Sequence, residues 1–189
     1  MAHPACSCLI VVVNPNDRAV FEQSVQSALP HRPVLVDGST TRDGSVRAGL
    51  AAIPPDADYV LIHDAARPLV THAVIDRVLS ALASAAGAAP ALAVSDALWT
   101  GHDGVVTGTQ DRTGLFRAQT PQGFRCSDIL AAHQSAFAKG LSAADDVEVA
   151  RAHGLDVAIV AGDENNLKIT TPEDFARAEV LLHTQEHRS

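Results

Sequence analysis

The sequence predicts an α/β fold, with a mostly parallel, Rossmann-like sheet and helices on both of its faces. Two observations predict it. Short apolar runs alternate with amphipathic stretches of helical period along most of the chain, and turn residues separate the two. Strands that alternate with helices favour parallel pairing, because each return then passes through a crossover. The chain suits one domain, residues 1–189, with a sizeable core.

The predicted strands are short runs rich in Val, Ile, Leu and Ala, bounded by proline, glycine or polar residues. Short apolar runs of this kind are typical of strands that a parallel sheet buries on both faces. The predicted strands are residues 8–13, 33–36, 59–63, 89–94 and 156–160.

The predicted helices follow these strands. Asn16 or Asp17 is the expected cap of the first, and Thr171 with Pro172 in the first helical position is a strong start signal for the last. The predicted helices are residues 17–28, 42–53, 72–85, 127–137, 145–153 and 172–183.

Residues 95–125 break this rhythm. Three short β-like pieces at 98–100, 105–109 and 115–119 surround the polar turn 101–104. This pattern predicts a β-arm or hairpin that projects from the sheet.

Composition excludes several classes of protein. A net charge of −8 argues against a general nucleic-acid surface, and no run reaches the roughly 18 apolar residues of a membrane span. The apolar run 9–13 is too short for most secretion signals, so a soluble cytoplasmic protein is expected. The three cysteines lack the spacing of a zinc site. The sequence contains no dinucleotide-binding, P-loop or nucleophile-elbow motif.

The segment 59–68 is the most informative part of the chain. An apolar strand runs directly into His63, Asp64 and Arg67, and Pro68 then ends it. Ligands of open α/β sheets bind beyond the carboxyl ends of the strands. Asp64 can accept from a substrate hydroxyl or bind a cation, and Arg67 can pair with a phosphate or with Asp64. A salt bridge that only closes the strand end is the alternative.

Three further segments have the composition of anion or sugar sites. The turn 37–45 carries glycines and hydroxyls before a helix, where backbone N–H groups can bind an anion or a base edge. In 110–124, Arg112 can bind a phosphate to which Thr120 donates. The alternative is a local pair of Asp111 with Arg112, and a plain turn at Thr-Pro-Gln-Gly, residues 120–123. Lys168, one of only two lysines, precedes a helix N-terminus, where an anion is favoured.

Together these segments are more specific than any one of them. His-Asp-Ala-Ala-Arg-Pro at 63–68, the turn 37–45, Asp-Arg at 111–112, Gln-Thr-Pro-Gln at 119–122 and Asn-Leu-Lys-Ile-Thr at 166–170 occur in one order. That order resembles the 2-C-methyl-D-erythritol 4-phosphate cytidylyltransferase family of the non-mevalonate isoprenoid pathway. The likeness covers about residues 8–182 and implies a fold of the nucleotide-diphospho-sugar transferase type.

The resemblance implies a reaction of CTP with methylerythritol phosphate that releases pyrophosphate and uses Mg²⁺ or another divalent cation. It also implies a homodimer whose β-arm carries Arg112 into the partner's site. By the same resemblance, Arg112 and Lys168 position the sugar phosphate, and Asp64 binds the erythritol hydroxyls or lies near the metal. Arg67 and Thr120 support this pocket.

On the nucleotide side, the resemblance implies contacts to cytidine. The residues that it assigns to this role are Asp37, Gly38, Ser45 and Ala65.

The chain also departs from the family pattern. The family's first strand and its Ala-Ala-Gly-x-Gly-x-Arg loop, which holds the triphosphate, have no counterpart before residue 8, so the domain is expected to be N-terminally incomplete. Residues 96–99, Asp-Ala-Leu-Trp, replace the usual Asp-Thr-x-Lys. This variant, with 143–147, is similar to the branch fused to a cyclodiphosphate synthase.

These departures predict weak or no turnover. The alternative is a truncated or non-catalytic relative that binds the sugar phosphate or dimerises with an intact subunit. A different sugar nucleotidyltransferase is a third reading, which the segment 166–170 disfavours.

Overall fold

The computed structural model describes residues 3–28 and 32–186, and these form α/β architecture. The strands are β1 (Ile10–Val13), β2 (Val34–Asp37), β3 (Tyr59–Ile62), β4 (Gly87–Ala93), β5 (Leu98–His102), β6 (Val105–Gln110), β7 (Phe116–Ala118), β8 (Gln122–Arg125) and β9 (Val157–Ala161). The helices are α1 (Arg18–Ala28), α2 (Arg42–Leu50), α3 (His72–Leu82), α4 (Cys126–Ala138), α5 (Asp146–Ala152) and α6 (Pro172–Glu186).

The central sheet is mixed. Strands β3, β4 and β9 run in one direction, and β8 lies antiparallel between β3 and β4. Strand β7 pairs antiparallel with the far end of β4, and β9 pairs parallel with β4 on its other side. The carboxyl ends of β3, β4 and β9 therefore share one edge of the sheet.

Helices cover both faces of this sheet, as two neighbouring residues of β8 demonstrate. The side chain of Phe124 is fully buried in a cluster with Leu50 of α2 and Ile129 of α4. The preceding residue points to the other face, where a Cβ on Gly123 would lie only 2.5 Å from Val78 of α3. Because successive strand residues face opposite sides, the sheet has a separate apolar layer on each face.

Strands β1 and β2 pair parallel, in a two-stranded sheet of their own within the described residues. Their register runs from Ile10↔Val34 to Val13↔Asp37. Strands β5 and β6 form a third, antiparallel pair with a register shift at Thr100/Gly101. The β-like pieces predicted at 98–100 and 105–109 fall within these two strands.

The predicted parallel character of the sheet needs correction, because β7 and β8 run antiparallel to β4. The sequence indicated a turn at 120–123, yet Gln122–Arg125 is a strand. Gln and Gly have low strand propensity, so local preference hides this strand. Pairing with β3 on one side and β4 on the other stabilises it instead.

The predicted cap of the last helix is confirmed, whereas the predicted cap of the first helix is wrong. Thr171 Oγ1 accepts from the amide of Asp174 at 3.2 Å, and the Asp174 carboxylate accepts from the Thr171 amide at 3.0 Å. At the first helix, the predicted cap at Asn16 or Asp17 is replaced by Asn14, which caps a 3-10 turn at Pro15–Asp17. Proline at the first position of this turn has the required φ and moves the start of α1 to Arg18.

Across residues 3–28 and 32–186, every helix falls short of the length or the apolar content that crossing a bilayer requires.

Candidate functional site

Two loops meet at the edge where β3 and β9 end. Residues 63–68 follow β3, and residues 162–170 follow β9. They are joined directly, because the amide of Ile169 donates to the carbonyl of Ala66 at 2.8 Å. The sequence placed Asp64 and Lys168 in these loops, and the fold brings them together although 104 positions separate them.

Asp64 and Lys168 form an ion pair that stays accessible. Lys168 Nζ lies 3.1 Å from Asp64 Oδ2, and the two side chains are 47% and 27% exposed. An ammonium group carries three donors, so Lys168 retains hydrogens for an incoming anion. A part-exposed carboxylate beside it can accept from hydroxyls. The pair therefore suits a ligand with both a phosphate and hydroxyl groups.

Arg67 is held by the protein itself. Its Nη1 donates to the carbonyl of Asn166 at 2.8 Å, and its Nη2 donates to the carbonyl of Ala118 at 3.3 Å. Its Nε lies 3.6 Å from Asp64 Oδ2, and its side chain is only 12% exposed. Of the two roles open from sequence, the structure therefore shows the contact with Asp64. Arg67 ties the loop after β3 to the loop after β9.

Thr120 lies under the loop rather than facing solvent. Its Oγ1 accepts from the amide of Asp64 at 3.0 Å and lies 2.9 Å from Nδ1 of His63. Nε2 of His63 lies 3.0 Å from the carbonyl of Arg67. A neutral ring protonated on Nε2 satisfies both contacts, with the Thr120 hydroxyl donating to Nδ1. The hydroxyl that the sequence assigned to a phosphate is thus engaged with Asp64 and His63.

Burial keeps this histidine neutral. Desolvation of the ring lowers the pKa of His63 below the ordinary histidine value, and the charge of Arg67 lowers it further. The hydrogen bonds to Arg67 and Thr120 and the charge of Asp64 oppose this shift without cancelling it.

Two buried amide side chains, which sequence reasoning missed, complete the support. Asn166 is fully buried, and its Nδ2 donates to the carbonyl of Thr120 at 2.8 Å. Gln119 donates to the carbonyl of Asp163 at 2.8 Å and accepts from the amide of Asp163 at 3.0 Å. The signal was present: amide residues flank both ligand segments, and buried amides of this kind typically satisfy irregular backbone.

Three of the four predicted cytidine residues, Asp37, Gly38 and Ser45, lie where β2 leads into α2. Gly38 donates to the carbonyl of Val13 at 2.8 Å, and a Cβ on Gly38 would lie 3.1 Å from Ser45 Oγ. Ser45 Oγ accepts from the amide of Ser39 at 3.0 Å. Asp37 ends β2, where Oδ1 accepts from Arg18 Nη1 at 2.5 Å.

Ala65, the fourth residue assigned to cytidine, lies instead on the loop after β3, beside Asp64. The assigned nucleotide contacts therefore come from two loops.

Arg112 lies on the connection between β6 and β7 and makes no contact with Asp64 or Lys168 among the described interactions. It is exposed, and its Nη1 donates to the carbonyl of Ser95. The side chains of Asp111 and Arg112 form no ion pair among the described contacts. The Asp111 carboxylate instead accepts from backbone amides, with Oδ1 at 2.9 Å from the amide of Thr113. The plain Asp111–Arg112 pair considered from sequence is not what this structure shows.

Among the residues described around Asp64, a divalent cation would find a single carboxylate ligand rather than a complete protein site. Within residues 3–28 and 32–186, no group of three His, Cys, Asp or Glu side chains is arranged to hold a metal. Mg²⁺ commonly binds through one or two carboxylates, with waters and substrate phosphates as its other ligands. Asp64 matches that mode as a single carboxylate.

The chain is similar to proteins of one family along nearly its whole length. The family model described as 2-C-methyl-D-erythritol 4-phosphate cytidylyltransferase matches residues 1–184. A protein of that name from Roseobacter denitrificans is 55% identical over 181 residues, which cover 94% of this chain and 77% of the relative. The bifunctional enzyme IspD/IspF from Rhodobacter capsulatus is 54% identical over 179 residues, or 94% of this chain and 45% of the relative.

Solved structures agree. The crystal structure of 2-C-methyl-D-erythritol 4-phosphate cytidylyltransferase from Thermus thermophilus has a TM-score of 0.82 and 33% identity, covering 95% of this chain and 84% of that one. The synthase structure from Anaerococcus prevotii has a TM-score of 0.84 and 28% identity, covering 96% and 81%. This chain belongs to the 2-C-methyl-D-erythritol 4-phosphate cytidylyltransferase family, and its enzyme class is that of the nucleotidyltransferases.

Proposed function

We propose that this chain transfers a cytidylyl group from CTP to 2-C-methyl-D-erythritol 4-phosphate and releases pyrophosphate, in the non-mevalonate synthesis of isoprenoid precursors. The observation that carries the proposal is the accessible Lys168–Asp64 pair, 3.1 Å apart at the edge where β3 and β9 end. It supplies a cation for the phosphate and an acceptor for the hydroxyls of one small substrate.

In the proposed step, a phosphate oxygen of the sugar attacks the α-phosphorus of CTP. A new P–O bond forms, the bond from the α-phosphorus to the bridging oxygen breaks, and its electron pair leaves with pyrophosphate. Holding two anions in line is the main barrier to such a reaction. Lys168 offsets the charge of the attacking phosphate, and Asp64 orients the erythritol hydroxyls. Arg67 and Thr120 keep Asp64 in place through the contacts described above.

The proposed nucleotide contacts are Asp37, Gly38, Ser45 and Ala65. The turn 38–44 leads into α2 and includes its first three residues, and backbone N–H groups at such a helix start can bind the carbonyl of a pyrimidine or an anion. Its internal hydrogen bonds from Ser39 and Gly44 fix its shape in advance.

The proposed metal is Mg²⁺ or another divalent cation. Asp64 would supply the one protein carboxylate, and the metal would neutralise charge on the triphosphate when bound.

The proposed assembly is a homodimer through the β5–β6 arm of a single cytoplasmic domain, with Arg112 acting at the partner's sugar-phosphate site. Exposed apolar side chains on the arm support an interface: Trp99 is 69% exposed and Val105 65%. Surfaces of this kind commonly mark contacts between proteins. Arg112 itself is exposed and apart from Asp64, which fits a role outside its own chain.

An alternative is a polypeptide that binds the sugar phosphate, or joins an intact subunit, without turnover. The observation that favours it lies in the printed sequence, where no Gly-x-Gly pair occurs at any position. The family's triphosphate loop, which also supplies cations, therefore has no match among these 189 residues. One lost donor of this type costs about 3 kcal/mol of transition-state stabilisation.

The test is an assay of pyrophosphate release by residues 1–189 with Mg²⁺ and methylerythritol phosphate, repeated with CTP, UTP, ATP and GTP. Calorimetry measures sugar-phosphate binding in parallel. We expect binding of the sugar phosphate and slow release that CTP supports best. Binding without release favours the alternative. Equal release with all four nucleotides, or no binding of the sugar phosphate, contradicts the proposal.

A further inference from the structure

A second polar cluster lies outside the site described above, between α2 and α5. Asp146 opens α5 and is fully buried, with 1% of its side chain exposed. Both of its carboxylate oxygens accept from Arg42, at 3.3 Å from Nη1 and 2.5 Å from Nη2. Such a two-point fork fixes the orientation of a guanidinium as well as its position.

The carboxylate is itself held rigidly. His133 of α4, 3% exposed, places Nε2 at 3.1 Å from Asp146 Oδ1. Gln122 of β8 accepts from the amides of Asp146 and Val147 at 3.0 and 3.1 Å, and donates to Asp145 at 2.9 Å. The central sheet, α4 and α5 therefore all fix the position of this one side chain.

The electrostatics link the cluster to the sugar-phosphate side. Burial alone would raise the pKa of Asp146, but the hydrogen bonds from His133 and Arg42 and their charges hold it below the usual carboxyl value. Burial lowers the pKa of Arg42, yet the carboxylates of Asp146, Asp64 and Asp145 together raise it above its ordinary value. The guanidinium thus lies within the field of Asp64.

A gain in folding stability does not by itself explain why Arg42 and Asp146 form this buried pair. Replacing a buried ion pair by apolar residues is commonly neutral or stabilising, because burial of the charges opposes their attraction. The consequence that distinguishes this pair is geometric. Arg42 is the first residue of α2, directly after its cap Thr41, so whatever orients Arg42 also orients the turn 38–44.

We infer that Asp146 is a positioning residue that acts through Arg42. It fixes the turn 38–44, where nucleotide contacts are proposed, relative to the sheet edge that carries Asp64. The assignment to nucleotide binding rests on the proposed function; the positioning of the turn does not.

Hydrogen exchange tests the positioning directly. The amides of Ser39 and Gly44 are bonded to hydroxyls within the turn. In Asp146→Asn, the new side-chain NH₂ group faces N–H groups of Arg42 or His133 that previously donated to the carboxylate, so the contact is weakened. We expect exchange at Ser39 and Gly44 to accelerate about tenfold while amides of β4 stay unchanged, since only local opening is affected.

Arg42→Met provides a second variant, because the Arg42 side chain is 38% exposed and His133 still bonds to Asp146 in its absence. We expect the same local acceleration, with no further increase in the double variant, as for two residues that act through one contact. Arg47→Met is the matched control. Arg47 lies on the same helix and contacts a different neighbour, the ring of Phe137 in α4 at 4.4 Å, more than one helical turn from the cap. It should leave exchange at Ser39 unchanged.

Three exchange results would overturn the inference: no change in the turn, uniform acceleration along the whole chain, or an additive double variant. Binding then addresses the nucleotide. Arg42→Met and Asp146→Asn should each raise the Kd for CTP with Mg²⁺ about tenfold and leave the Kd for the sugar phosphate within about twofold. Equal effects on both ligands would contradict the inference. A wild-type chain that binds no CTP would contradict the proposed function on its nucleotide side, while the exchange result still decides the positioning.

Discussion

The loops around Asp64 and the segment around Arg112 are both proposed to bind the same sugar phosphate, yet they are built in opposite ways. Around Asp64, the supporting side chains are buried: Thr120 is 6% exposed and Asn166 is fully buried. Around Arg112, the structure shows an exposed side chain that donates to the carbonyl of Ser95, and the neighbouring β5–β6 pair carries an exposed Trp99.

A single chain therefore preorganises only one part of the proposed site, the loops around Asp64. Preorganised groups bind a ligand without first losing conformational freedom, and the Asp64 loops meet that condition through buried contacts. The Arg112 segment has no comparable buried support in the described residues, because its side chain is exposed and donates to the carbonyl of Ser95. The predictions below test that division.

The largest loss of sugar-phosphate binding is expected at Lys168, in the preorganised loops around Asp64. Lys168→Ala should weaken binding of methylerythritol phosphate by about 30- to 150-fold, because a hydrogen bond between charged groups contributes about 2–3 kcal/mol. Titration calorimetry measures it. Lys139→Ala is the matched control, since Lys139 is the only other lysine and ends α4. Equal losses in the two variants would mean that net charge alone matters.

The second prediction concerns the other region. Arg112→Met should also weaken sugar-phosphate binding, whereas Arg117→Met, an exposed arginine of β7 paired with Glu164, should not. If Arg112 acts across a homodimer, mixing and reassociating Arg112→Met with Lys168→Ala should restore about a quarter of the tight sites. Half of the randomly formed dimers are then mixed, and each mixed dimer has one intact site. Calorimetric stoichiometry that shows no restored sites would place both residues in one chain's site.

A third prediction tests the burial of Thr120. Thr120→Val keeps the shape but leaves the Asp64 amide and the His63 ring without their partner, so the free energy of unfolding should fall by about 1–3 kcal/mol. Thr107→Val is the control on β6, where the exposed Oγ1 donates to Thr100 Oγ1 of β5 at 3.1 Å. It should change stability by less than about 0.5 kcal/mol. Urea unfolding of the two variants would contradict the comparison if they lost equal stability.

The smallest effect is a pH dependence of folding stability that comes from His63, in the loops around Asp64. The pKa of His63 is lower folded than unfolded, so its contribution to stability is present above the ordinary histidine value of 6.5 and is lost as pH falls through the folded-state pKa. His63→Gln should therefore flatten the slope of stability between about pH 7 and 5. His102→Gln, at the exposed end of β5, should leave this slope unchanged. Unfolding midpoints across this range decide between them.

Much of the fold was predictable because its signals are local. Apolar runs and alternation gave the strands at 59–63 and 156–160 to within a residue or two, and the cap at Thr171 follows from a side chain and its own helix. The antiparallel strand β8 was hidden, since its Gln and Gly favour a turn and only its two neighbours make it a strand.

For the candidate site, the sequence by itself determined the ingredients: which strand ends carry Asp64 and Lys168, and which turn carries Gly38 and Ser45. These follow from composition and from the order of motifs along the chain. The tertiary structure alone decided the neighbours. It placed Thr120 beneath Asp64 and joined Arg42 to Asp146, across 56 and 104 positions of sequence. Contacts at such separation depend on sheet register and on the packing of distant helices, and neither is encoded in a local pattern.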